Sequence, residues 1–126
     1  MAFCTAISCM DGRIQLPVIR YLQRRFQVAY VDTITEPGPN GILARQEDTS
    51  VMDSIRKRLQ ISVENHCSVG IAVVGHYDCA GNPATPEQQH QHLWQAVRWV
   101  QQLYPHMEVI ALWVDEHWQV HELDSP

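Results

Sequence analysis

The chain has 126 residues, of which 45% are hydrophobic and 18% are charged, so it can bury the core of one domain and is not an intrinsically disordered polypeptide. Nine Lys and Arg residues against fourteen Asp and Glu residues give a formal net charge of −5, which argues against the basic field that nucleic-acid binding requires. We therefore predict a single domain over residues 1–126 with no nucleic-acid partner.

The N-terminal sequence lacks the features of a secretion signal. Met1–Ile7 has no positively charged segment followed by a long apolar stretch, and no apolar run in the chain approaches the ~20 residues that span a bilayer. We expect a cytoplasmic protein with no membrane partner. In that reducing compartment the four cysteines are expected to be buried thiols, metal ligands or nucleophiles rather than disulfides.

Short apolar runs alternate with helical periodicities in the first half of the chain. Ala2–Cys9 is rich in small and β-prone residues and predicts the first strand. Apolar residues three or four positions apart predict a helix over Gln15–Phe26, and Val28–Ile34 predicts a second strand. The prolines and glycines of Glu36–Gly41 then predict a loop, which we expect to be the most mobile segment.

The second half continues the alternation. Apolar residues at helical spacing over Met52–Val63 predict a second helix, with Asp48, Thr49 or Ser50 as its N-cap. The continuous apolar run Ile71–Val74 is typical of a strand buried on both faces. The remaining predicted elements are a loop over Gly75–Pro83, a third helix ending before Pro105, a fourth strand over Glu108–Val114 and a short antiparallel strand over Trp118–Glu122.

Alternating strands and helices predict an α/β fold. We expect a three-layer sandwich with a mostly parallel central sheet, in which the first and third strands are adjacent and a short antiparallel strand forms the C-terminal edge. In such sheets, ligands bind beyond the carboxyl ends of the strands. The chemistry is therefore expected in the loops that follow the first and third strands.

These two loops carry the densest reactive residues of the chain. Cys9 ends the first strand, and His76 and Cys79 follow the third, so adjacency of the two strands would bring these three side chains together. Two thiolates and one imidazole suit Zn²⁺, and three protein ligands leave a fourth position for a water molecule, as in catalytic zinc sites. The alternative is that both cysteines are simply buried thiols.

Asp11 and Arg13 lie two and four residues beyond Cys9. Asp11 can accept a hydrogen bond from zinc-bound water while Arg13 holds its carboxylate in a bidentate pair. Asp11 can alternatively bind zinc as the fourth ligand and displace the water, or the two residues can form only a structural turn with an ion pair. Asp78 presents the same choice, and for it we favour the structural role.

The motif Cys9-x-Asp11-x-Arg13, followed by Gly75-His76-x-x-Cys79, resembles the paired signature of the β-class carbonic anhydrases. The resemblance covers roughly residues 3–81 and implies one β-carbonic anhydrase-like zinc domain. It implies one Zn²⁺ per chain, bound by Cys9, His76 and Cys79, with Asp11 and Arg13 as a catalytic dyad. It also implies a homodimer or a higher homo-oligomer, with an interface at the edge of the second strand or at the tryptophan-rich end of the chain.

The chain departs from that family pattern at several positions. Thr35–Asn40 replaces an Arg-Asn-Ala-Gly-Asn segment, Ala80 replaces a usual glycine, and Tyr77 replaces a smaller residue. Only eight residues precede Cys9, so we expect the helical arm of many members to be missing. The sequence therefore predicts a compact, divergent branch of the family.

Three functions are compatible with these residues. The first is hydration of CO₂ to bicarbonate by a zinc-bound hydroxide, in which the substrate is small and uncharged, or attack on a related molecule such as carbonyl sulfide or carbon disulfide. The second is a non-catalytic zinc-binding or regulatory protein. The third is thiol chemistry at Cys79 activated by His76, for which no oxyanion-binding loop is evident.

Several other reactive or aromatic residues have structural interpretations. Cys4 and Cys67 are expected in the core, and the segment Glu87–His92 is expected to be a solvated first helical turn rather than a metal site. The clustered cations are expected on solvated helix faces; these are Arg20, Arg24, Arg25, Arg56, Lys57 and Arg58. The tryptophans are expected in the core or at a subunit interface; these are Trp94, Trp99, Trp113 and Trp118.

Overall fold

The computed structural model describes residues 2–126. Its elements, in chain order, are β1 (Phe3–Cys9), α1 (Gly12–Phe26), β2 (Tyr30–Glu36), α2 (Pro39–Arg45), α3 (Thr49–Gln60), a π-helical turn (Ile61–Asn65), β3 (Ile71–His76), α4 (Pro86–Leu103), β4 (Val109–Val114) and β5 (Val120–Leu123). Within these residues, no helix combines the length and the hydrophobicity needed to cross a bilayer.

The strands form one sheet in the order β2-β1-β3-β4-β5. All neighbouring pairs are parallel except β4 and β5, which are antiparallel. The predicted adjacency of the first and third strands is confirmed, because Ile7 of β1 is paired in register with Val73 of β3. The predicted antiparallel edge strand is also confirmed. The carboxyl ends of β1 and β3 therefore lie side by side.

Helices cover both faces of the sheet, as predicted. On one face, α1 buries Ile14, Val18 and Leu22 against the alternate strand residues Ala6, Val74 and Leu112. On the other face, α2, α3 and α4 pack against Ile7, Val73 and Trp113 and contribute Leu43, Ile55, Leu59, Leu93 and Val97. Alternate residues of β1 and β3 face opposite cores because successive side chains of a strand point to opposite faces.

Helix α1 begins three residues earlier than the sequence predicts. Its N-cap is Asp11, whose side chain accepts a hydrogen bond from the backbone N–H of Arg13. A carboxylate N-cap satisfies one of the N–H groups that the first helical turn leaves without a partner. The helix therefore starts at Gly12, next to Cys9, and Pro17 lies inside it rather than in its first turn.

The predicted loop over Glu36–Gly41 is wrong. Helix α2 begins within that segment, at Pro39, after Gly38 in a left-handed backbone conformation (φ 61°). Proline is favoured at the first position of a helix because its fixed φ is already helical and its missing N–H would have no helical partner there. Asn40 and Gly41 are buried where α2 packs on α4. Packing thus replaces the expected mobile loop by an ordered helix.

Other predictions also require correction. Cys67 is exposed rather than in the core, since it follows the π-helical turn in a left-handed conformation (φ 55°), whereas Cys4 is buried as predicted. Gln89 is buried, so Glu87–His92 is not wholly solvated. Arg25 is not merely a solvated cation, because it pairs with Glu108 and Glu122 at 2.8 Å each and joins α1 to the region of β4 and β5.

The turn before α2 gives a sharp test of the packing around the site. An Ala Cβ at Gly38 would lie 2.8 Å from the Asn82 backbone nitrogen, and the left-handed φ of 61° disfavours any Cβ. We expect Gly38→Ala to lower the free energy of unfolding by about 2–4 kcal/mol, measured by urea denaturation at matched metal content. Gly12→Ala is the control, since its Cβ would meet nothing within 4 Å; an equal loss there would contradict the explanation.

Candidate metal centre

The structure brings the three candidate ligands together. Cys9 is the last residue of β1, His76 is the last residue of β3, and Cys79 lies in the turn that follows. The two Sγ atoms are 3.9 Å apart, and the possible ligand atoms of all three residues lie within 4.8 Å of one another. All three residues are buried. Parallel pairing of β1 with β3 places these side chains at one edge of the sheet.

The imidazole of His76 is oriented for a ligand. Its Nδ1 lies 2.8 Å from the Tyr77 carbonyl oxygen, so Nδ1–H donates to that carbonyl and Nε2 carries the free lone pair. Nε2 is buried and has no hydrogen-bond partner among the described residues. A buried nitrogen with a free lone pair beside two cysteine sulfurs fits the ligand set of Zn²⁺, and the bond at Nδ1 is the usual outer contact of a zinc-bound histidine.

The thiols of Cys9 and Cys79 differ in acidity. A hydrogen bond from the Cys79 thiol lowers the pKa of Cys9, against the effect of burial, and the His76 side chain and the backbone N–H groups of Gly38 and Asp11 lower it further. The pKa of Cys79 is raised, first by that same hydrogen bond and then by burial. Thiolate is the form that binds metals. The site therefore favours one thiolate before any cation is present.

Asp11 and Arg13 form a close pair at the same edge. The Nη2 of Arg13 donates to Asp11 Oδ2 at 2.7 Å, and Nε lies 3.1 and 3.2 Å from the two carboxylate oxygens. These hydrogen bonds lower the Asp11 pKa to about 2. Since that pKa is below its usual value of about 4, the pair stabilises the folded chain above pH 4, and this contribution is lost as pH falls towards 2.

Arg13 contacts two further residues, Asp78 and Trp118, which sequence reasoning missed. Its Nη1 lies 3.3 Å from Asp78 Oδ2, and its Nη2 donates to the Asp78 carbonyl oxygen at 3.2 Å. Its guanidinium carbon also lies 4.4 Å from the ring centroid of Trp118. The sequence offers no signal for the Trp118 contact, because the two residues are 105 positions apart and only the packing of α1 near β5 joins them.

Three buried amide side chains connect the candidate metal centre to α2 and α4. Gln89 donates to the carbonyl oxygen of His76 at 2.9 Å, and Asn40 donates to Gln89 Oε1 at 3.2 Å. Asn82 donates to Asn40 Oδ1 at 3.4 Å. Buried amides without partners are costly, so this chain fixes the end of β3 and the loop after Cys79 relative to both helices. The sequence analysis did not single out Gln89 or Asn82.

Comparisons with known proteins agree with this fold. The family model described as "Putative carbonic anhydrase" matches residues 1–124. Tetrameric β-carbonic anhydrases of Sordaria macrospora are similar in structure, with a TM-score of 0.62, 11% identity, and coverage of 97% of this chain and 80% of theirs. The wild-type β-carbonic anhydrase CafD of Aspergillus fumigatus gives a TM-score of 0.65, 12% identity, and coverage of 98% and 90%.

No curated protein sequence matches the chain. At 11–12% identity the structural likenesses establish the fold alone. The family model matches nearly the whole chain, a range that includes the positions of Cys9, His76 and Cys79. The chain therefore belongs to the family described as "Putative carbonic anhydrase", and its fold is that of the β-carbonic anhydrases.

Proposed function

We propose that this protein is a zinc-dependent carbonic anhydrase that hydrates CO₂ to bicarbonate. The observation that carries the proposal is the buried group of Cys9, His76 and Cys79 beside the Asp11–Arg13 pair, in which His76 Nε2 has no hydrogen-bond partner among residues 2–126. One Zn²⁺ per chain would be held by the two thiolates and that Nε2. Zinc with three protein ligands supplies an open position at which water loses a proton near neutral pH.

The chain's own residues prepare this position for reaction. His76 is held in one orientation by its bond to the Tyr77 carbonyl, and Gln89 fixes the backbone of the same residue. Asp11 stays ionised because of Arg13, so its carboxylate accepts a hydrogen bond from the reacting water and orients the attacking lone pair. Orientation of this kind contributes to catalysis by reducing the entropy lost on reaching the transition state.

Burial of the ligands favours a small uncharged substrate. The exposed fractions of Cys9, His76 and Cys79 are 5%, 0% and 4%, so only a slender molecule can approach them closely. A linear heterocumulene such as CO₂ meets this condition, and carbonyl sulfide and carbon disulfide share its shape. A reducing cytoplasm, which we also propose as the location, would keep both cysteines as thiols able to bind metal.

The deciding experiment is stopped-flow CO₂ hydration by protein with measured zinc content. We expect zinc-loaded protein to accelerate hydration, with activity that rises as pH increases through about 7, and zinc-free protein to be inactive. Turnover of carbonyl sulfide or carbon disulfide without CO₂ hydration would identify that molecule, rather than CO₂, as the substrate. Full zinc occupancy with none of these activities would contradict catalysis and favour a non-catalytic zinc-binding protein.

We also propose a homodimer or a larger homo-oligomer. Two large apolar side chains next to candidate ligands are exposed: Met10, which follows Cys9, is 63% exposed, and Tyr77, which follows His76, is 43% exposed. Leu16 of α1 is also exposed, by 58%. Strand β2 is an edge of the sheet. Exposed apolar patches and open sheet edges favour association with another copy.

Light scattering at micromolar concentration tests this assembly. We expect a mass of two chains or more. Leu16→Asp should shift the mass towards one chain, because it places a charge among the exposed apolar side chains. Gln91→Asp, at an exposed position of α4, is the control and should keep the wild-type mass. A monomeric wild-type protein would contradict the proposal.

A further inference from the structure

The Arg13 side chain is held by contacts with Asp78 and Trp118 in addition to its pair with Asp11. Its side chain is 45% exposed, and a long cation at such a position ordinarily has many accessible rotamers. Here the guanidinium also contacts the Asp78 carbonyl oxygen at 3.2 Å and lies over the ring of Trp118 at 4.4 Å. The described neighbours thus restrict this cation to the position in which it pairs with Asp11.

Trp118 is itself fixed by the turn between β4 and β5. Its backbone N–H donates to the Asp115 carbonyl at 3.0 Å, and its φ is 60°. The Asp115 carboxylate accepts bonds from the backbone N–H groups of His117 at 2.8 Å and Gln119 at 3.0 Å. The indole also packs against the core beneath α1. The turn therefore holds the aromatic face of Trp118 against the Arg13 guanidinium.

The position of Arg13 decides what Asp11 can do. Asp11 lies two residues from Cys9; its Oδ1 accepts a hydrogen bond from Arg13 Nε, and its Oδ2 accepts one from Arg13 Nη2. A carboxylate released from these side-chain bonds would keep the N-cap bond of Oδ1 to the Arg13 backbone N–H, but its Oδ2 would be free to bind a metal that accepts oxygen ligands. Contacts that keep Arg13 paired with Asp11 therefore favour a carboxylate that accepts hydrogen bonds. They disfavour a carboxylate that binds the metal.

We propose that Trp118, assisted by the Asp78 carbonyl, is a positioning residue that holds Arg13 on Asp11 and so keeps the Asp11 carboxylate off the metal. The catalytic consequence rests on the proposed function. The positioning itself does not, because the metal's ligand set can be measured in protein that is inactive. Cation–π contacts at exposed sites correspond to about a two- to fivefold change in an equilibrium, which sets the size of the effect.

The test uses full-length protein loaded with Co²⁺, whose visible absorption reports whether carboxylate or water occupies the fourth position. We expect Trp118→Leu to increase the ratio of the carboxylate-bound to the water-bound form about threefold at pH 7, and Trp118→Phe to restore part of the change. Adding Asp11→Asn to Trp118→Leu should abolish it. Trp94→Leu is the matched control, because Trp94 packs against the opposite core.

In zinc-loaded protein, Trp118→Leu should move the pH–rate profile of CO₂ hydration to higher pH, because hydroxide must displace a larger carboxylate-bound fraction. If Trp118→Leu does not fold, Trp118→Met replaces it, since Met keeps apolar bulk without an aromatic face. A cobalt spectrum identical to the wild type in the folded non-aromatic variant would overturn the positioning role. An inactive wild type with the expected spectral change would instead reject the proposed function and leave the positioning role supported.

Discussion

Replacing Cys79 with serine is expected to remove most of the bound zinc. The Cys79 sulfur lies 3.9 Å from that of Cys9, in a group whose possible ligand atoms are all within 4.8 Å. A serine hydroxyl is a poor zinc ligand at neutral pH because it does not ionise as a thiol does. We expect a loss of zinc affinity greater than the roughly 10–100-fold that removal of an outer-shell partner causes.

The measurement is zinc per chain after dialysis, together with a competition titration against a chelator. Cys67→Ser is the matched control, because Cys67 is an exposed cysteine outside the group. We expect about one zinc per chain in the wild type and in this control. Retention of zinc by Cys79→Ser, or a wild type that neither contains zinc nor takes it up, would refute the metal assignment.

The second large effect concerns the Asp11–Arg13 pair. Asp11→Asn should retain zinc, because Asp11 is not one of the three proposed ligands, but it should lower CO₂ hydration by roughly 10²-fold or more. The amide is neutral and offers an N–H₂ group in place of one acceptor oxygen. It therefore loses both the charge that Arg13 holds and the orientation of the reacting water.

Arg13→Ala should also retain zinc while raising the apparent pKa of activity. The reason is that Asp11, released from Arg13, can compete for the metal until hydroxide displaces it at higher pH. Zinc content and pH–rate profiles of both variants are the measurements. Asp53→Asn is the control, since Asp53 forms an exposed pair with Arg56 on α3. Wild-type hydration by either dyad variant would contradict the mechanism.

The sequence by itself determined the fold class and the candidate metal ligands. Ile71–Val74 is apolar at every position, and such a short run is typical of a strand buried on both faces of a covered sheet, as β3 is. Once β1 and β3 are neighbours, the positions of Cys9, His76 and Cys79 follow from where those strands end. These features depend on local periodicity and on short motifs, which are present in the chain before it folds.

Tertiary structure alone decided the features that surround the site. Glu36–Gly41 has the composition of a loop, yet helix α2 forms there because burial of Asn40 and Gly41 against α4 outweighs local propensity. Gln89 looks like a solvated residue, but it is buried because the carbonyl of His76 and the amide of Asn40 supply its hydrogen bonds. Trp118 reaches Arg13 only through the turn after β4. Each depends on partners distant in sequence, so no local pattern encodes them.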